Sequence, residues 1–230
     1  MARKMGNEKV RVKPIAESAP AKKSFRLEFK NTAQKIAYVA FEQHDFLFLI
    51  GPAGTAKTFL ATAFAVSEIL NKKKKKIVLS RPIVEAGEKI GFLPGTAEEK
   101  IHPYLMPIFD CLDMTVGSDT IERNKITQCM EIVPLAHQRG RTFSNAIVIL
   151  DEAQNATEEQ LKLAMTRIGE GSKMIITGDP NQSDLKGDVA LPRVVEAMKS
   201  VQGISVVEFN ESHIVRHALV ADILRAWPAK

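Results

Sequence analysis

Gly51-Pro-Ala-Gly-Thr-Ala-Lys-Thr58 is the stretch that decides the fold. Asp45-Phe-Leu-Phe-Leu-Ile50 precedes it as an apolar segment of strand length, and the spacing after it predicts a helix over about 57–70. Strand, glycine turn and helix in that order is the setting a phosphate-binding loop requires. Gly51, Pro52, Ala53, Gly54, Thr55 and Ala56 form the turn, whose backbone N–H groups (all but that of Pro52, which has none) surround the phosphates, and the helix N-terminus adds about half a positive charge. Lys57 then reaches the β- and γ-phosphates, and the Thr58 hydroxyl ligates Mg²⁺. The competing reading, a chance glycine turn, loses because Gly51, Gly54, Lys57 and Thr58 are all in register behind an apolar strand. One position departs from the strict pattern: Ala56 stands where glycine precedes the lysine. Its Cβ costs little at a helical φ and about 1 kcal/mol or more at a positive one.

Working outward, Ile147-Val-Ile-Leu-Asp-Glu152 is an apolar strand that ends in two acids. Asp151 suits the water shell of a phosphate-bound Mg²⁺, and Glu152 is placed to polarise an attacking water as a catalytic base. Met174-Ile-Ile-Thr-Gly-Asp-Pro-Asn-Gln182 is a second buried strand ending in polar groups, from which Gln182 can sense the γ-phosphate. Gly-Asp-Pro-Asn taken alone is ordinary turn chemistry. Near the end of the chain, Arg216 can act as a finger on a neighbouring subunit's phosphate; a surface ion pair is the plainer alternative. His213 and His217 flank it at i, i+4 without a metal-ligand context and read as surface or packing residues. Gln34, upstream of the first strand, carries an amide able to pair donor and acceptor with adenine, although an exposed helix glutamine is the base case.

The remaining pattern fits one α/β domain over residues 25–230. Helices are predicted at Thr32–Gln43, at about 57–70 and after Asn155-Ala-Thr157, where Thr157 and Gln160 have capping-box spacing. Leu161, Ala164, Met165 and Ile168 give that last helix one apolar face, with Gly169 and Gly171 as its stop. Pro192 suits a first helical turn, and Ser212 is positioned to cap a final helix carrying Ile214, Ala218 and Ile223. The stretch holding Pro94, Pro103 and Pro107 reads as loop and broken helix. Further strands are predicted at Ile77–Ser80, Glu131–Val133, Ala146–Leu150, Met174–Thr177 and Ile204–Phe209. Apolar strands without alternation, separated by helices, call for a mostly parallel sheet covered on both faces.

The chain has 230 residues with 45% hydrophobic and 26% charged, ordinary globular usage. No apolar run approaches the ~20 residues of a bilayer-spanning helix, and the N-terminus lacks the apolar core of a secretory signal. Cys111 and Cys129 make no disulfide framework or zinc spacing, so a cytoplasmic setting without membrane contact is expected. The net charge of +5 is uneven: residues 1–30 and the run Lys72–Lys76 carry more positive charge than the whole, so the rest is acidic. Residues 1–24, polar and basic with Pro14 and Pro20, read as a disordered arm. The arm, the lysine run and Arg81 are expected near the phosphates of a nucleic-acid strand, in contacts that position without specifying sequence.

Taken together these segments resemble the PhoH-like family, P-loop ATPases related to superfamily-1 helicase cores. The resemblance rests on Ser80-Arg-Pro-Ile-Val-Glu-Ala-Gly-Glu-Lys-Ile-Gly-Phe-Leu-Pro-Gly95, Arg139-Gly-Arg-Thr142, Ile149-Leu-Asp-Glu-Ala-Gln-Asn155, Thr177-Gly-Asp-Pro-Asn-Gln182 and Val215-Arg216-His217. It covers about residues 31–226, and the sixteen-residue run around Gly87 is its most specific part. It implies a RecA-like core, ATP with Mg²⁺ as cofactors, ATP hydrolysis and ring-shaped oligomers. A single lobe makes Arg216 useful only across a subunit boundary, which argues for a homo-oligomeric ring, with a hexamer as one form. The resulting expectation is a motor or remodeller of RNA or single-stranded DNA. The alternative is a non-motor ATP switch that controls assembly with a protein partner.

Overall fold

A computed structural model describes residues 27–82, 97–116, 120–185, 187 and 189–215. The basic arm, most of the run 80–95, Arg216, His217 and the end of the predicted final helix lie outside the described residues. In chain order the elements are α1 (Thr32–Gln43), β1 (Phe46–Ile50), α2 (Lys57–Leu70), β2 (Lys76–Ser80), α3 (Ala97–Val116), α4 (Thr120–Gln128), β3 (Met130–Ile132), β4 (Ala146–Leu150), α5 (Glu158–Met165), β5 (Lys173–Gly178), α6 (Ala190–Met198) and β6 (Ile204–Glu208). The strands form one six-stranded sheet in the order β3-β2-β4-β5-β1-β6, and every described pairing is parallel. This is the α/β, RecA-like arrangement expected: β5 lies between β1, which carries the phosphate loop, and β4, which carries the acids.

The central strands β1, β2, β4 and β5 are largely apolar because each feeds two cores. Leu47 and Leu49 of β1 face one side with Ile77, Leu79, Ile147 and Ile149, under α1, α2, α3 and α4. Phe48 and Ile50 face the other with Val78, Val148, Leu150 and Ile176, under α5 and α6. A period of two thus sorts an unbroken apolar run into two buried layers. Lys173, the first residue of β5, ties the α1 end to the sheet. Its ammonium donates to the carbonyls of Phe41 (2.5 Å) and His44 (2.8 Å) and lies over the Phe41 ring. A cation on the last carbonyls of a helix is favourable in both charge and hydrogen bonding.

Three expectations need correction. Residues 97–116 form one 20-residue helix despite Pro103 and Pro107. Each proline removes a helical N–H at a cost of roughly 3 kcal/mol, but Leu105, Ile108 and Leu112 are fully buried in the core beneath α2. Burying three such side chains is worth about 1.5–3 kcal/mol each, enough to hold the helix together. Next, α5 stops at Met165, short of Gly169, because the chain leaves it to pair with the segment before β4, the Phe143 N–H donating to the Arg167 carbonyl and the Gly169 N–H to the Phe143 carbonyl. Ile168 leaves the helix to bridge Phe143. The Thr157–Gln160 capping box forms as expected. Finally, Ser212 sits inside a short 3₁₀ turn, Glu211–His213, whose cap is Asn210. Helix α4 was not foreseen: of its side chains Ile126 is fully buried while Ile121 is 68% exposed, so no apolar stripe announces it.

Candidate nucleotide site

Parallel strands deliver their C-terminal ends to one edge, and the polar residues gather there. Gly51 leaves β1 with φ +145°, and a Cβ at that position would stand 2.3 Å from the Phe209 carbonyl oxygen, so only glycine fits. The turn closes through the buried Thr55, whose hydroxyl donates to the Pro52 carbonyl at 2.9 Å. Ala56 is left-handed (φ 69°, ψ 27°) and begins α2 without a side-chain cap. The sequence departure therefore falls where a Cβ costs about 1–2 kcal/mol. The first N–H groups of this 14-residue helix consequently have no capping side chain and suit an anion. Lys57 Nζ folds across the turn and donates to the carbonyls of Gly51 (2.7 Å) and Pro52 (2.9 Å).

Thr58 and Asp151 meet: the Thr58 hydroxyl donates to Asp151 Oδ1 at 2.9 Å, and the Thr177 hydroxyl donates to the same oxygen at 2.5 Å. Asp151 is 1% exposed, and its Oδ2 is buried with no hydrogen-bond partner. The Arg81 guanidinium stands 3.7 Å from that oxygen. A buried carboxylate oxygen without a donor, beside a threonine hydroxyl at a phosphate loop, is the donor set of a hard divalent cation that retains several waters. Glu152 follows in a left-handed conformation (φ 56°, ψ 43°) at the rim. Its Oε2 accepts from the Gln154 amide at 2.5 Å, and its Oε1 lies 3.8 Å from Arg81.

The cleft between these groups measures about 240 Å³ and is lined by Gly54, Lys57, Thr58, Glu152, Asp179 and Gln182 among others. The structure thus brings together the loop, the candidate metal pair Thr58 and Asp151, the base candidate and the γ-phosphate sensor candidate. Gln34 is not in this lining. It is buried, not exposed, and its Oε1 accepts from the Lys30 N–H at 2.8 Å. Its end of α1 is nevertheless tied to the phosphate loop: Asn31 Nδ2 donates to the His213 carbonyl, and the Val215 N–H donates to the Gly54 carbonyl at 2.8 Å. His213 has the packing role expected, with its ring edge against Phe209 and Nδ1 accepting from the Asn210 N–H.

Several participants were not assigned roles from sequence. Asp179 Oδ2 accepts from the Ala53 N–H at 3.0 Å, fixing the apex of the phosphate loop. Thr177, and Gln154 in its bonds to Asp179 and Gln182, act through partners distant in sequence, and the signal available was a second buried strand ending in Thr-Gly-Asp beside the acid-bearing one. Cys111, from α3, lines the cleft wall. Burial, then the carboxylates of Asp151 and Asp110, push its thiol up to about 11. Arg81 requires a correction, because it stands at the site end of β2 whereas Lys72–Lys76 lie at the opposite end. In that run Lys73 pairs with Glu42 and Glu68, and Lys76 with Glu131. The run and Arg81 do not form one patch. Of Arg139-Gly-Arg-Thr142, Arg141 bonds Glu131 and covers the Phe143 ring, bracing the β3 edge. Among the described residues no helix is long and apolar enough to cross a membrane.

Residues 26–228 match a family model described as PhoH-like protein. The PhoH-like protein of Bacillus subtilis is 49% identical over 89% of this chain and 64% of that protein. The PhoH-like protein of Synechocystis is 45% identical over 86% and 61%, and Protein PhoH of Escherichia coli K12 is 38% identical over 86% and 57%. The chain spans about three fifths of the length of these relatives. The crystal structure of Pif1 helicase from Candida albicans superposes with a TM-score of 0.40 at 15% identity, over 86% of this chain and 44% of that one.

Proposed function

The chain belongs to the PhoH-like family, and we propose that it is a P-loop NTPase that binds Mg²⁺ with ATP, hydrolyses it, and works as a ring of identical subunits on RNA or single-stranded DNA. The observation that carries the reading is the Thr58–Asp151–Thr177 cluster, with its buried carboxylate oxygen that accepts no hydrogen bond, set under a phosphate loop. Mg²⁺ held by Thr58 and Asp151 would supply charge for the β- and γ-phosphate oxygens. Lys57 exchanges its loop carbonyls for the terminal phosphates. Glu152 accepts a proton from water as the water oxygen attacks γ-phosphorus, the bond to the β-bridging oxygen breaks, and ADP leaves with its electron pair. Gln182, on the cleft wall, contacts the γ-phosphate. Gln34, at the tied end of α1, is the candidate for the base.

The test is titration with Mg·ATP and measurement of turnover. Lys57→Ala should abolish detectable binding, and equal affinity in wild type and variant would refute the loop assignment. Glu152→Gln should bind normally and lose about 10²–10⁴-fold in turnover, the span of general-base effects. Wild-type turnover in that variant would remove Glu152 from the chemistry. The second reading, an ATP switch that moves along no strand, is favoured by one observation: Lys73 and Lys76 are engaged by glutamates at the far end of the sheet. Stimulation of turnover by single-stranded RNA or DNA supports the first reading, and no stimulation supports the second.

A further inference from the structure

Gln154 is 2% exposed and carries no role in the account above. A buried amide needs partners for both its oxygen and its nitrogen. Here Oε1 accepts from the Asp179 N–H at 3.0 Å, while Nε2 donates to Glu152 Oε2 at 2.5 Å and to the Gln182 carbonyl at 3.3 Å. This partner set fixes the orientation of the amide: reversing it would put the amide oxygen against a carboxylate and the NH₂ against an N–H. The Gln154 main chain is pinned as well, its carbonyl accepting from the Ser183 hydroxyl at 3.0 Å. Room for this comes from Gly178, where a Cβ would meet Leu191 Cδ2 at 2.5 Å and Gln154 Oε1 at 3.2 Å. Asp179 continues the connection, its carboxylate accepting from the Ala53 N–H of the phosphate loop.

We infer that Gln154 is a positioning residue: it holds the Glu152 carboxylate in the orientation from which it takes the proton of the attacking water, and links that carboxylate, through Asp179, to the apex of the phosphate loop. The inference rests on the reading of Glu152 as the base. Glu152 needs such a clasp because it projects from a left-handed backbone at the rim, where its side chain is partly exposed. With one oxygen on the buried amide, the other faces the Arg81 side of the cleft. The same amide grips the Gln182 carbonyl, so the base and the candidate sensor share one anchor.

The test compares steady-state kinetics, Mg·ATP affinity and melting temperature for wild type and four variants. Gln154→Leu should lower kcat about 10- to 100-fold, as expected for a misplaced catalytic group, with KM within about threefold of wild type. In the Glu152→Gln background the same change should cost nothing further. Gln154→Met removes the amide at nearly the same length and should lower kcat over the same range with KM again little changed. This variant keeps the proposal testable should Gln154→Leu fail to fold. An unchanged kcat in Gln154→Leu or Gln154→Met, or losses that multiply with Glu152→Gln, would each overturn it. Failure of the underlying reading looks different: there, Glu152→Gln alone turns over at the wild-type rate.

Discussion

Two lysines, one at each end of the same parallel sheet, make similar contacts for different ends. Lys173, at the N-terminal end of β5, donates to the carbonyls of Phe41 and His44 and closes the last turn of α1. Lys57, beyond the C-terminal end of β1, donates to the carbonyls of Gly51 and Pro52 in a turn next to an uncapped helix N-terminus. Around Lys173 the neighbouring polar groups are also matched: the Ser172 hydroxyl joins the Phe143 carbonyl to the Ala146 N–H. Around Lys57 stand Asp151, with one carboxylate oxygen lacking a donor, and two left-handed non-glycine residues, Ala56 and Glu152. Left-handed non-glycine residues stand at both ends, Lys72 and Asn145 at the other, so what separates the working end is a buried carboxylate oxygen that accepts no hydrogen bond, beside a helix N-terminus without a side-chain cap.

The largest effect that would alter this comparison is incompleteness of the working end within one subunit. The ring proposal expects Arg216→Ala to bind Mg·ATP normally and to lose about 10³–10⁵-fold in hydrolysis, the worth of an arginine finger. Mixing Lys57→Ala subunits with Arg216→Ala subunits should then restore activity that neither has alone, read as phosphate release at fixed total protein. The preceding residue, Val215, is anchored by its N–H on the Gly54 carbonyl of its own chain. No recovery despite demonstrated co-assembly would therefore assign Arg216 to its own nucleotide, and the working end would be complete in one copy.

A smaller effect, about 100-fold, concerns the cleft wall. Burial and then the Asp151 and Asp110 carboxylates raise the Cys111 thiol from 9.0 to about 11. Two units leave about a hundredth of the ordinary thiolate at pH 8, and thiolate is the species that alkylates. Iodoacetamide labelling followed by mass spectrometry should show Cys111 reacting slowly, with a rate that climbs toward a midpoint near pH 11 instead of 9. Mg·ATP should slow it further because Cys111 lines the cleft. Labelling at an ordinary thiol rate, or without protection by nucleotide, would detach α3 from the working end.

How much of this was legible follows from what each residue depends on. The loop Gly51–Thr58 and the pair Asp151-Glu152 could be read because their meaning is local, a glycine turn or an acid pair behind an apolar strand. The helix Thr32–Gln43 and the capping box at Thr157 were equally local and form as read. Gln154, Thr177 and Asp179 sat inside quoted motifs without roles, because their partners come from other strands and appear only when β4, β5 and β1 lie side by side. Arg81 was grouped with the lysine run because both are basic and close in sequence; β2 separates them to opposite ends of the sheet. Helix α3 was missed because proline is a strong local signal that tertiary burial of Leu105, Ile108 and Leu112 outweighs.

The supporting end should answer in stability, not affinity. Lys173→Met keeps the stem over the Phe41 ring but removes the donors from the α1 carbonyls. Hydrogen bonds from a charged group and the helix-end charge together predict a loss of about 1–2 kcal/mol. Urea unfolding should show that loss with Mg·ATP affinity unchanged, whereas Lys57→Ala should show the reverse. If Lys173→Met weakens nucleotide binding, or Lys57→Ala destabilises the chain as much as Lys173→Met, the two ends do not divide the work as argued.

The smallest effect lies at Ala56. Its left-handed φ of 69° should cost about 1–2 kcal/mol relative to a residue without a Cβ. Glycine removes that strain but widens the unfolded ensemble, which returns about 0.4–1 kcal/mol. Ala56→Gly should therefore stabilise the chain by between about 0 and about 1.6 kcal/mol, the difference of those two terms. The same change frees the residue that joins the phosphate loop to α2, so the sign of its effect on turnover tells what the alanine does. Unchanged stability with faster ADP release would mean that Ala56 stiffens the loop around bound nucleotide. A stability gain with unchanged turnover would make the strain a tolerated substitution with no part in the chemistry. A loss of stability would show that the surrounding turn, closed by Thr55 on Pro52 and by Gly51 against Phe209, already relieves the left-handed alanine. Of the two left-handed residues at the working end, Glu152 alone would then remain strained.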